Sequence, residues 1–394
     1  MQNTIIEKID LDKTQANTFL RALWAEFRNN FEQVGWQYIG FRYPSSTKVL
    51  IGLMSLRRGL TLQLEFDYKN KGGINNIYIT PKEADENYSE DSIIKCIKNA
   101  LKKGHNQGFS TFNFSSTIKV KYPETRLRWS NKGPIIHPYA GKNFTLFSDN
   151  DHITLNSKQL GFDLIDAEDN ASEKVLAACD FLSTCLNTHI RRTNYVEKKL
   201  KITPNYNHIV YEDKEWIDGE PYINNSYGLL KEQINIIDKI LSSEINTNSP
   251  LIKSCTHFNN ALSIRADQID YSYDEIICVL LISSIETLCE EYEWDTTTCP
   301  VCKQVKYSIK KKVKTLTEKI LGPAASIHIS ELYDMRSKSL HCGHMISKKN
   351  SSKIIPLIDA SQNNCMKPMR ASFTNLIEFT SYLIRQVAIE QYDT

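Results

Sequence analysis

Tyr333-Asp334-Met335-Arg336-Ser337-Lys338-Ser339-Leu340-His341 is the most diagnostic stretch of this 394-residue chain. On a helix running from about Ser326 to His341, the apolar residues Ile329, Leu332, Tyr333 and Leu340 share one stripe, and Arg336 stands four residues past Leu332 on it. A guanidinium keeps its proton and is seldom buried without an anionic partner. An arginine on an apolar stripe therefore implies either a buried carboxylate or a site that receives an anion. His341 falls about 140° further round, at ~100° per residue, just ahead of Gly343, a residue suited to end a helix. From there it can reach the lip of a groove floored by Arg336.

The stretch upstream supplies the carboxylate. Ile276-Ile277-Cys278-Val279-Leu280-Leu281-Ile282 is apolar all round and is expected to form the central buried helix of its domain. Glu286 follows Ile282 by four residues and Val279 by seven, so it shares their face. Either it sits at the helix margin and reaches solvent, or it needs a cation, for which Arg336 is the obvious candidate.

Together, Leu280 to Cys289 and Leu332 to Gly343 resemble the HEPN superfamily, and more narrowly its Apea-like branch. The signature there is an Arg, a small polar residue and a His at R-x4-6-H spacing, positions held here by Arg336, Ser337 and His341. The helix ahead commonly carries a Glu in an aliphatic setting, as Glu286 does. The resemblance spans roughly residues 227 to 394 and does not reach the N-terminal half. It implies an all-helical domain that forms a homodimer, an endoribonuclease without a catalytic cofactor, and a toxin-like role in bacterial antiviral (abortive-infection) defence. The residues suit that chemistry. An imidazole with an unperturbed pKa near ~6.5 can take the 2′-hydroxyl proton or protonate the leaving oxygen. Arg336 can stabilise charge on the phosphoryl oxygens, and Ser337 can bond phosphate or hold the histidine. The expected product carries a 2′,3′-cyclic phosphate. A helical module that binds RNA or a protein partner without cutting is the alternative.

A formal net charge of only +2 gives no global field for nucleic acid, so RNA contact has to come from local clustering. One cluster is Lys303, Lys306, Lys310, Lys311, Lys312, Lys314 and Lys319 against the acid Glu318. Lys310, Lys311, Lys312 and, on the next helix, Lys338 are the candidate RNA-binding residues; a solvated helix face is the bland alternative.

With 41% hydrophobic and 24% charged residues, the chain can bury a sizeable core. Its length suits two domains. Charges at Glu7, Lys8 and Asp10 break any signal-peptide core, and no apolar run reaches the ~18 to 20 residues of a membrane span. A cytoplasmic protein is expected. Cys96, Cys179, Cys185, Cys255 and Cys278 sit in apolar helical contexts and read as buried free thiols.

Residues 1 to about 200 read as an α+β domain that would sense a trigger or hold activity off. Leu20, Leu23, Trp24, Phe27 and Phe31 mark a helix, and Leu60, Leu62, Leu64 and Phe66 alternate as a half-buried strand. Further strands are expected at 48–54, 77–80, 111–122, 144–147 and 153–155, with helices at 92–101 and 171–192. Loop chemistry at Pro204, Asn205, Gly219 and Pro221 places a linker over 201–226. An all-α bundle over 227–394 follows, with Ser249 as the N-cap before Pro250.

Cys299-Pro300-Val301-Cys302 makes the turn by which one edge of a tetrahedral zinc site is commonly built. Cys342 and His344, or Cys289, could complete it, stapling an insertion beside His341 in a structural role. The alternatives are an unligated thiol pair or a redox pair. No G-x-x-x-x-G-K-[ST], H-E-x-x-H or G-x-S-x-G motif occurs.

Overall fold

The computed structural model describes residues 4–31, 34–44, 46–57, 59–69, 72–83, 89–106, 108–121, 136–149, 152–197, 221–223, 226–267, 273–294, 309–342 and 373–393. The chain has a β-rich N-terminal part with two antiparallel sheets, then a run of helices. It divides into two compact units, one of Met1–Phe112 with Leu160–Asn170, the other of Asn113–Gln159 with Ala171–Thr394.

The first unit runs β1 (Ile5–Leu11), α1 (Lys13–Phe31), β2 (Gly35–Arg42), β3 (Lys48–Arg57), β4 (Leu60–Tyr68), β5 (Ile74–Glu83) and α2 (Glu90–His105). Its strands form one antiparallel sheet in the order β1-β5-β4-β3-β2. Leu60, Leu62 and Leu64 alternate inward as their spacing demands and meet Phe19, Leu23 and Phe27 of α1 and Ile93 and Ile97 of α2 in one core. Asp12 starts α1 by accepting the Thr14 and Gln15 backbone N–H groups at 2.8 and 2.9 Å. Gly52 lets β2 approach, since a Cβ there would lie 2.1 Å from the Gln37 carbonyl oxygen.

The second unit holds most of β6 (Ser110–Lys121), β7 (Tyr139–Ala140), β8 (Phe144–Asp149), most of β9 (His152–Gly161) and of α3 (Leu164–Leu186), and β10 (His189–Glu197). Its sheet runs β10-β6-β9-β8-β7. A short hairpin, β11 (Tyr222–Ile223) and β12 (Ser226–Tyr227), precedes α4 (Lys231–Ser242), α5 (Pro250–Asp267), α6 (Asp274–Leu288), α7 (Ile309–Leu321), α8 (Pro323–Cys342) and α9 (Phe373–Tyr392). Ser249 Oγ caps α5, accepting from Ile252 N at 3.3 Å. No helix among the described residues is long and apolar enough to cross a membrane.

The units do not divide at the expected linker. Ile118, Phe144, Leu146 and Leu155 of the second sheet share one core with Val175 and Leu182 of α3 and with Ile237, Phe258 and Leu281 of the helices. Alternation in a strand reports a buried face; it does not say which helix covers it. Residues 201–220 of the linker lie outside the described residues.

Two further expectations are corrected. The helix expected over 171–192 stops at Leu186, because Asn187 adopts a left-handed φ of 49° and the chain then turns into β10, which carries Arg191 and Arg192. The central helix α6 packs against α5, α7, α8 and α9, yet it is not buried all round. Ile276 is 48% exposed, and Val279, Leu280 and Ser283 on the same stripe are half-buried.

Candidate functional site

α6 and α8 meet along the stripe that ends in Glu286, and there Arg336 finds its carboxylate. Nη2 of Arg336 lies 3.0 Å from Glu286 Oε2 and Nη1 donates to Oε1 at 3.2 Å, with the two side chains only 19% and 17% exposed. The stripe placement of both residues brought them together as expected. Nη2 also donates to Ser283 Oγ at 3.3 Å. The Arg336 Nε is buried and has no hydrogen-bond partner among the described residues.

Tyr333 and Ser283 are site members that the sequence reading did not assign. Each sits three residues before a named one, Arg336 and Glu286 respectively, and therefore on the same helix face. Burial raises the Tyr333 hydroxyl above its usual pKa, and the charge of Glu286 and a hydrogen bond to that carboxylate push it further the same way. The Tyr333 ring lies on the apolar stripe and packs on the core. His257 of α5 is half-buried, and desolvation lowers its pKa against an opposing pull from Glu286. Burial pushes the Cys278 thiol up to about 12, against an opposing pull from Arg336.

α8 runs to Cys342, so Arg336, Ser337 and His341 lie on one helix. Ser337 is half-buried. The side chains of Lys338, His341 and Cys342 lie outside the described residues, as do Cys299, Cys302 and His344 altogether. Among the described residues no group of three or more His, Cys, Asp or Glu is placed to hold a metal. Cys289 is buried in the core, and desolvation pushes its thiol up to about 12. Cys96, Cys179, Cys185, Cys255 and Cys278 are free and buried.

The basic helix α7 is more neutralised than its sequence suggests. Lys310 pairs with Asp334 at 2.6 Å and Lys319 with Glu390 at 2.6 Å. Lys312 lies 5.9 Å from the ring centre of Trp294 and Lys319 4.9 Å from that of Tyr292. Lys311 and Lys314 are exposed. Lys303 and Lys306 lie outside the described residues.

Compared with protein-family models, with curated proteins and with solved structures, the chain gives no match.

Proposed function

We propose that this chain is a metal-independent endoribonuclease acting through Arg336 and His341 of α8. The observation that carries the reading is the half-buried Arg336 held by Glu286 at a helix–helix seam, with the histidine five residues on along the same helix. In the proposed step the 2′-oxygen attacks phosphorus and the bond to the 5′-oxygen breaks. The 2′-hydroxyl proton leaves to a base, the 5′-oxygen gains a proton, and a 2′,3′-cyclic phosphate remains. His341 serves as base or acid, and Arg336 bears the charge that gathers on the phosphoryl oxygens. Lys310, Lys311, Lys312 and Lys338 track the RNA backbone.

The site works as a homodimer in this proposal, and the half-open stripe Ile276, Val279 and Leu280 of α6 is the apolar surface a second copy would cover. Cys299, Cys302, Cys342 and His344 hold a structural zinc beside His341. The setting is the bacterial cytoplasm during antiviral defence, with a trigger acting on the N-terminal part.

The closed Arg336–Glu286 pair favours one rival, a helical module that binds RNA or a protein without cutting. Incubating the protein and its His341→Ala variant with total cellular RNA in excess EDTA separates the two. Cleavage by the parent alone, leaving cyclic-phosphate ends, is expected. Equal cleavage by both proteins removes His341 from the mechanism, and an isolated chain fragment is no substitute for the full-length sample.

A further inference from the structure

Every terminal nitrogen that Arg336 could offer to a phosphate is already engaged. Nη1 and Nη2 face the two oxygens of Glu286, and Nη2 also reaches Ser283. Phosphate is gripped in the same way, by parallel N–H donors of one guanidinium. The remaining nitrogen, Nε, is buried. A phosphate therefore cannot take Arg336 bidentately while Glu286 stays in place.

We propose that Glu286 is a built-in competitor for Arg336: it closes the anion site in the free protein and must be displaced when a phosphodiester binds. This rests on the reading of Arg336 as a phosphate ligand. Both side chains keep a solvent-reachable edge, so an anion can approach the pair from outside. The charges of Glu286 and Arg336 cancel, so the closed site exerts little pull on a polyanion. Tyr333, on the face of Arg336, supplies a hydroxyl to the carboxylate and helps hold it. Exchange of the carboxylate for phosphate keeps the arginine paired throughout, which matters because a buried, unpaired cation is costly. RNA affinity is thereby set by a competition within the protein and not by Arg336 alone.

The test is binding of a fluorescent 2′-O-methyl oligoribonucleotide, which lacks the attacking hydroxyl and cannot be cleaved. Full-length parent, Glu286→Gln, Glu286→Asp and the double variant Glu286→Gln/Arg336→Gln are compared at pH 7, with circular dichroism checking the fold. Glu286→Gln leaves Arg336 without a counter-charge and is expected to bind about tenfold tighter, with a salt slope steeper by about one phosphate contact. Glu286→Asp keeps the charge and stays near the parent, and the double variant loses the gain. Equal or weaker binding by folded Glu286→Gln overturns the proposal, as does a gain that survives loss of Arg336. The nuclease reading is judged separately by cleavage of ordinary RNA: a tightened Glu286→Gln with no cleavage by any protein keeps the competitor and discards the nuclease.

Discussion

Ser254 of α5 and Ser284 of α6 meet hydroxyl to hydroxyl at 2.8 Å, each also within reach of the other's carbonyl oxygen, at 2.9 and 2.8 Å. Both are fully buried. Two small side chains at the crossing let the helix backbones close on one another, and this fixes the height of α6 against α5. Substituting leucine at 284 forces the helices apart. Ser284→Leu should cost about 1–3 kcal/mol through overpacking, and Ser284→Ala about 1 kcal/mol through lost hydrogen bonds. Denaturant midpoints for the second unit check the order; an alanine variant as damaged as the leucine one would refute the packing argument.

Removing Arg336 alone strands a half-buried carboxylate, and removing both partners does not. Arg336→Ala should therefore destabilise more than Arg336→Ala/Glu286→Ala. The difference should stay below the ~3–5 kcal/mol of a fully buried pair, since this one keeps an exposed edge. A double-mutant cycle by thermal melting measures the coupling. Additive single effects would show that the pair contributes nothing.

Arg28 grips Asp163 through Nε and Nη2 at 2.7 and 2.9 Å, and Arg21 grips Asp166 in the same way at 2.8 and 3.0 Å while its guanidinium stacks on Phe109 and Phe162. Asp163 also accepts the Asp166 backbone N–H at 2.8 Å, capping α3. Loss of both roles in Asp163→Ala should cost about 1–3 kcal/mol. Hydrogen exchange should speed up in both α1 and the first turn of α3. Exchange confined to α3 would mean that the arginine contact is idle.

Acid should weaken the first unit through Glu65. Burial pushes its pKa up, but Lys48 at 2.6 Å, the Tyr43 hydroxyl at 2.5 Å and Gln63 at 3.0 Å outweigh that, and the net shift is downward from 4.5. A lowered folded pKa means that the unfolded chain takes up the proton first. The stabilisation is complete above the ordinary value and disappears as pH falls from there through the folded one. Glu65→Gln should be less stable than the parent at pH 7, with a flatter decline below pH 4.5. Exchange rates of the β4 amides across that range are the readout, and parallel acid limbs would exclude Glu65 as their source.

Legibility followed periodicity. The strand at Leu60–Phe66 and the helix carrying Arg336 could be read because each shows one apolar face, and the Arg336–Glu286 pair followed from two charges placed on such faces. β2 escaped because all eight of its residues are exposed, including Trp36, Tyr38, Ile39 and Phe41, so no burial pattern marks it. β10 escaped because the apolar run of α3 leads straight into it, and only the backbone turn at Asn187 separates them. Tyr333 looked like core because a phenol's ring and its hydroxyl can serve different neighbours, and sequence reports only the ring.

The first unit is discontinuous: Leu160–Asn170 rejoins it after residues that belong to the second unit. During synthesis, α1 therefore emerges with Arg21 and Arg28 unpartnered. Asp163 and Asp166 follow only on the order of ten seconds later, at ~5–20 residues per second. The N-terminal unit cannot reach its final ion pairing before part of its neighbour has been made, and a nascent chain released before residue 163 would carry a sheet with its arginine latches open.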